Sequence, residues 1–160
     1  MTAQEFKLVF DEYFDAIRRY IYYRSGDREL ATDIAQEAFM KLWEKQVAYQ
    51  PKENSGLLYK MASDLFVSRY RHQQVEWEYQ KKLKLDFTEE SPDEQLEYDE
   101  LKSRYEEALA GLSDKQRTVF LMSRLDGLKY HEIAERLELS VKAVEKRMSA
   151  ALSQLKMKLS

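Results

Sequence analysis

Apolar residues along this chain recur at three- and four-residue spacing, the period of amphipathic helices. Phe6, Phe10, Tyr13, Ile17 and Tyr20 or Ile21 form one stripe, opened by a capping box at Thr2-x-x-Glu5 and stopped by Gly26. A second helix starts at the N-cap Asp27, and Leu30, Ile34, Phe39 and Leu42, with Ala31, Ala35 and Ala38, make its buried face. Pro51, Asn54, Ser55 and Gly56 predict a loop over 46–56. A third helix is expected over roughly 56–84, with Leu58, Met61, Ala62, Leu65 and Phe66 inside and the basic-aromatic stretch Arg69-Tyr70-Arg71-His72 in its later part. Asp86–Ser91 reads as a linker. Ser91-Pro92-Asp93-Glu94 starts a fourth helix that Gly111 closes.

The C-terminal part carries the sharpest local pattern. Ser113-x-x-Gln116 is a second capping box, and Val119, Phe120, Met122 and Leu125 carry a helix to Gly127. Two helices follow, 130–137 and 141–158, separated by a three-residue break. Ile133, Ala134 and Leu137 face Val144, Met148 and Leu152, Leu139 sits in the turn, and Ala134 is small where the helices cross. This is the pattern of a helix-turn-helix, whose second helix fits the DNA major groove. Lys142, Glu145, Lys146, Ser149 and Ser153 lie on its outer face, and Arg147, Lys156 and Lys158 add to the basic flank.

Composition sharpens the class. With only four glycines and two prolines in 160 residues, a turn-rich sheet protein is disfavoured and an all-α chain is expected. There is no cysteine, so disulfides and thiolate metal sites are excluded and a reducing cytoplasm fits. No apolar leader follows Met1 and no run approaches the roughly 20 residues of a membrane span, so a soluble protein without membrane insertion is expected. The net charge of −3 argues against a DNA binder until it is resolved by region. Residues 1–72 hold 11 basic and 11 acidic side chains, 73–110 hold 5 and 12, and 111–160 hold 10 and 6. An acidic connector therefore separates a balanced front from a basic tail. The expected organisation is two small helical domains, 1–85 and 92–160, joined by the acidic linker 86–91.

Enzyme chemistry has little to stand on. The two histidines, His72 and His131, fall in different expected domains, and there is no His-x-x-x-His, Gly-rich phosphate loop or Gly-x-Ser-x-Gly. No metal, cofactor or small-molecule substrate is expected.

Nearly the whole chain resembles the extracytoplasmic-function group of the sigma-70 family. Phe10–Tyr23 is similar to the start of the family's region 2. Asp33-Ile-Ala-Gln36-Glu37-Ala-Phe39-Met-Lys-Leu42-Trp43 matches its next signature. Leu57–Asp64 with Arg69-Tyr70-Arg71 resembles the remainder of region 2, and Leu112–Leu155 resembles region 4. The resemblance implies an alternative sigma factor that directs core RNA polymerase to promoter DNA, held in check by an anti-sigma factor. Asp33, Gln36 and Glu37 then match the polymerase-docking positions. Lys60, Asp64, Arg69 and Arg71 match the segment that opens the start-proximal (−10) element, where flipped bases stack and cations track phosphates. Lys142, Glu145, Lys146, Arg147 and Ser149 would read the upstream (−35) element.

Four positions depart from the family pattern: Asp64 where Asn is usual, Lys129 where a helix-capping Ser or Thr is usual, and Glu145 and Ala150 where basic residues are frequent. A carboxylate at 64 accepts hydrogen bonds but cannot donate them. These departures, with the negative net charge, leave room for an alternative: a sigma-like decoy that keeps the partner surfaces without promoter-specific initiation. A simple dimeric repressor using only the C-terminal helices leaves the 30–43 signature unexplained.

Overall fold

The computed structural model describes residues 1–70 and 92–160, with side chains placed for 1–69 and 97–160. Among the described residues there are seven α-helices. Helix α1 (Ala3–Ser25) begins at the Thr2/Glu5 capping box and ends at Gly26, whose φ of 68° is the left-handed conformation that glycine adopts without a Cβ penalty. Helix α2 (Arg28–Lys45) is N-capped by the Asp27 carboxylate, which accepts from the Leu30 N–H. Helix α3 (Pro51–Tyr70) begins five residues before its expected start. Pro51 has φ preset for a first helical turn, and the Asn54 side chain accepts from the Gln50 N–H and donates to the Ala48 carbonyl. Of the segment expected as a loop, 46–50 lies between helices and 51–56 is the start of α3, with Asn54 and Ser55 both under 6% exposed.

Helices α1, α2 and α3 pack mutually as a three-helix bundle. Ile17, Ile21, Ile34, Leu42, Leu58 and Phe39 fill its centre, and burial of each such side chain stabilises the fold by about 1.5–3 kcal/mol. The stripe on α1 holds at Ile17, Tyr20 and Ile21, with Phe6 and Tyr13 partly buried against the core, Val9 added to it and Phe10 at its edge. Val9, Ile17, Tyr20 and Ile21 are buried, whereas Phe10 remains 36% exposed. Phe10 joins instead a ring cluster at the bundle edge, where it, Phe6 and Phe14 are only partly removed from water and lie against the buried Phe39.

The second group is α4 (Pro92–Ala110), α5 (Asp114–Arg124), α6 (Tyr130–Leu137) and α7 (Val141–Leu159). Helix α7 packs on α4, α5 and α6. The Ser113/Gln116 capping box opens α5, and the Ser140 hydroxyl accepts from the Ala143 N–H to open α7. Gly127, at φ 67°, ends the turn after α5. The expected inner positions hold at Val119, Phe120, Met122, Ile133, Ala134, Val144 and Met148, but Leu125 and Leu152 are about 40% exposed. Leu121, one turn before Leu125, and Ala151, next to Leu152, are fully buried in their stead. The turn of the helix pair closes through Glu138 in a left-handed conformation (φ 53°), with the Leu139 N–H donating to the Ala134 carbonyl.

Lys129 occupies the N-cap of α6 and makes no side-chain cap hydrogen bond, while the Glu132 carboxylate accepts from its backbone N–H. Lys129→Ser should supply the missing half of this box and raise stability by about 1 kcal/mol, read as a higher midpoint in urea at unchanged slope.

The two helical groups are not separate bodies. Helix α1 packs on α5 and α3 packs on α6, so one continuous core runs from Val9 to Leu155. The expected linker 86–91, together with Arg71, His72 and the Ser91 cap, lies outside the described residues.

Candidate polymerase and DNA interfaces

Helix α2 presents Asp33 and Gln36 to solvent and Glu37 half-buried beside them. Three- and four-residue spacing sets the three polar groups on one face, because the opposite face is spent on Ile34, Ala38 and Leu42. Leu42 is fully buried and flanks nothing on the surface. Trp43 is 38% exposed and lays an edge against Phe6 at 5.2 Å, so it is half core and half surface. Met40, at 62% exposed, adds an apolar point to the same helix. Glu37 pairs with Arg69 of α3. A docking candidate and a −10 candidate thus neutralise each other.

On α3, Lys60 and Asp64 are exposed and four residues apart, one turn above the other on a single face. Tyr59 is not available for base stacking. It is 2% exposed, its ring meets Tyr20 at 5.1 Å, and its hydroxyl accepts from Arg136 of α6 at 3.2 Å. Burial pushes its phenol up from the ordinary tyrosine value, opposed by the Arg136 charge.

On α7, Lys142, Glu145, Lys146 and Ser149 are exposed at i, i+3, i+4 and i+7, one continuous outer face. Arg147 does not share it. It is half-buried and lines a cavity of about 210 Å³ between the two helical groups, with Tyr20, Arg24, Ser63 and Thr118. The structure thus gathers four of the five upstream-element candidates and turns the fifth inward.

Sequence reasoning missed the charged groups that join the two halves. Arg117 of α5 is 4% exposed. Its guanidinium donates to the Tyr23 and Arg24 carbonyls at 2.8 Å each and to the Leu112 carbonyl at 3.1 Å. Tyr23 and Arg24 lie in the last turn of α1, where unpaired carbonyls and the helix dipole favour a cation. Burial pushes the Arg117 pKa down to about 10, with Asp114 acting against the shift, so it is still a cation at pH 7. Arg24 forms a two-pronged bond to Asp114 at 3.0 and 3.1 Å and also reaches Ser63 at 2.9 Å. Asp126, with its side chain 3% exposed, accepts from the Tyr23 hydroxyl at 2.6 Å and Arg19 at 2.8 Å. Burial, then the Asp126 carboxylate, push the Tyr23 phenol well above its ordinary value. The one sequence signal for Arg117 was its place four residues before Leu121, on the buried face of α5.

A helical bundle followed by a helix-turn-helix with an outward polar face is the architecture of an all-α transcription protein of the DNA-binding class. Comparison with known families narrows the class. The family description "Sigma-70 region 2" matches residues 9–76, and "Sigma-70, region 4" matches 102–155. The ferric citrate uptake sigma factor FecI of Escherichia coli is 32% identical over 124 residues, covering 76% of this chain and 72% of that protein. The ECF RNA polymerase sigma factor SigE of Mycolicibacterium smegmatis is 26% identical over 152 residues, covering 91% of this chain and 58% of that protein. Two solved structures share the fold at 20% identity and a TM-score of 0.60. They are the sigma factor RpoE in complex with the anti-sigma factor NepR from Bartonella quintana, with 98% of each chain covered, and CnrH in complex with the cytosolic domain of CnrY, with 96% of this chain and 86% of that one covered. The chain belongs to the sigma-70 family of RNA polymerase sigma factors, in its extracytoplasmic-function group.

Among the described residues no helix is long and apolar enough to cross a membrane.

Proposed function

We propose that the protein is an alternative sigma factor that directs core RNA polymerase to specific promoters and is controlled by an anti-sigma factor. The observation that carries this reading is the coexistence, in family order, of a region 2 bundle with its polar α2 face and a region 4 helix-turn-helix with its outer face open. Asp33, Gln36 and Glu37 dock on the polymerase. Lys60, Asp64, Arg69 and Arg71 act at the −10 element, and Lys142, Glu145, Lys146 and Ser149 at the −35 element, with Arg147 a weaker candidate because it faces the junction. The functional division is 1–85 and 92–160 about a connector at 86–91. The protein works in the cytoplasm as a binding subunit, without catalytic residues, metal or cofactor of its own. Anti-sigma control is supported by the solved structure of the sigma factor RpoE in complex with the anti-sigma factor NepR.

Each half makes few DNA contacts, so promoter affinity arises when both halves are held on one polymerase and binding of one raises the effective concentration of the other at its own element. The test is transcription in vitro with core polymerase on a library of promoter fragments from the native host. A defined set of start sites with upstream and start-proximal elements is expected. Core binding without any promoter-specific transcript supports the decoy instead, a reading favoured by the exposed Asp64 carboxylate and by the Glu37–Arg69 pairing.

Lys146→Ala should weaken holoenzyme binding at the −35 element. If Lys146 touches phosphate, the plot of log affinity against log salt becomes shallower by roughly one on every sequence. If it touches a base, the salt slope stays and preference relaxes at one position, by about 1–3 kcal/mol. Affinity unchanged on all sequences removes Lys146 from the interface.

A further inference from the structure

We infer that the cavity beside the start of α5 is a binding site for a small phosphate-class oxyanion, held by Arg147, Lys115 and Thr118. The site does not depend on how the chain meets polymerase or promoter DNA.

Charge balance in this cavity of about 210 Å³ favours an anion. Its charged lining is Arg24, Asp114, Lys115 and Arg147. Arg24 and Asp114 satisfy each other through two bonds at 3.0 and 3.1 Å, and Arg24 also donates to the Ser63 and Tyr20 hydroxyls at 2.9 and 3.2 Å. Two positive charges remain. Lys115 of α5 is exposed and Arg147 of α7 is half-buried, and neither makes a hydrogen bond or ion pair among the described residues. An arginine cannot shed its proton to escape burial, so a half-buried guanidinium favours an anionic partner.

A second observation points the same way. Thr118, three residues after Lys115 and so on the same face of α5, lines the cavity and is 3% exposed. Its Oγ1 has no hydrogen-bond partner. A buried hydroxyl left unpaired is held at a cost, and it can donate to an oxyanion. Asp114 and Lys115 are the first two residues of α5, so the cavity lies at the positive end of that helix dipole. Leu137 and Leu139 form an apolar part of the wall, and a low local dielectric strengthens a charged hydrogen bond. The volume sets the size of the ligand. It is below the roughly 300 Å³ at which sites for drug-sized molecules begin. Phosphate or a diphosphate group fits that space, and a whole nucleotide does not.

The test titrates the full chain with orthophosphate and, separately, with pyrophosphate, at neutral pH and constant ionic strength set with sodium chloride. Proton–nitrogen NMR follows the Lys115 and Thr118 amides and the Arg147 Nε–H. These should shift together and saturate, with a dissociation constant on the order of 1 mM, as a few charged hydrogen bonds supply. Arg147→Gln should weaken binding about tenfold, read on the two amides, and Thr118→Val about threefold. Lys45→Gln, which removes an exposed cation of α2, should leave it unchanged. Tighter binding of orthophosphate assigns the site to the free ion, and tighter binding of pyrophosphate assigns it to a diphosphate group. Shifts that grow without saturating, or that Arg147→Gln leaves as they were, overturn the site. If Arg147→Gln loses its helical circular dichroism, Lys115→Gln at an exposed position takes its place. It should weaken binding about threefold, and unchanged binding there overturns the site equally.

Discussion

Arg117→Met should lower the stability of the chain by about 3 kcal/mol, the largest loss expected from any single polar substitution here, since charged hydrogen bonds contribute about 1.5–3 kcal/mol each. The guanidinium serves three backbone carbonyls, those of Tyr23, Arg24 and Leu112, which belong to both halves of the molecule. Met fills much of the volume but leaves those acceptors without their donor. Arg117→Lys should recover little, because one ammonium on a flexible stem cannot reproduce a planar fork aimed at separated acceptors. Urea unfolding followed by circular dichroism measures both. A second effect separates Arg117 from an ordinary core residue. Its loss should also loosen the boundary between α1 and α5, seen as faster amide exchange in the last turn of α1 than near Leu121. A uniform rise in exchange would mean that Arg117 acts on global stability alone.

Glu37→Lys should weaken binding to core polymerase at least tenfold, about 1.4 kcal/mol or more, while leaving the fold in place. The fold should survive because both members of the Glu37–Arg69 pair are over a third exposed, where an ion pair contributes little. The structure makes this substitution less simple than the sequence suggested. It removes a carboxylate from the docking face, sets a second cation against Arg69 and frees Arg69 from its partner. Arg69→Ala separates these effects in a double-mutant cycle. If Glu37 meets polymerase directly, the loss persists in the Arg69→Ala background. If Glu37 works only by positioning Arg69, the two losses do not add. Asp33→Lys, at an exposed neighbour on the same face, should reproduce the drop. Unchanged affinity in both charge reversals would remove α2 from the polymerase interface.

Helix boundaries were legible wherever a cap and an apolar stripe agreed. Thr2/Glu5, Asp27, Ser113/Gln116 and Ser140 each start the helix they announce, because a capping side chain acts on backbone groups within three residues. The third helix was misjudged because Asn54 and Ser55 carry turn signals in isolation. Buried against the bundle, Asn54 spends its hydrogen bonds on Gln50 and Ala48. Periodicity named the right helices but placed Leu125 and Leu152 inside, where Leu121, one turn earlier, and Ala151, one residue earlier, are buried. A stripe of about 100° leaves its edge residues undecided until a neighbouring helix covers one side. The outer face of α7 was readable for the same reason, with Arg147 the exception. It sits at the edge of the face, where it lines the cavity shared with Tyr20, Arg24, Ser63 and Thr118.

The sequence by itself determined the class of the chain, its helices, its family and the polar faces of α2 and α7, since these depend on residues within a few positions of each other or on motifs in fixed order. The tertiary structure alone decided which charges meet. Arg117 and Tyr23, Arg24 and Asp114, Arg19 and Asp126, and Glu37 and Arg69 are separated by 32 to 107 residues. Nothing in local spacing distinguishes a charge that will face water from one that will be buried across a helix boundary. That difference is set by desolvation and by which partner the fold brings within hydrogen-bond reach, and it is what joins α1 to α5 and α3 to α6.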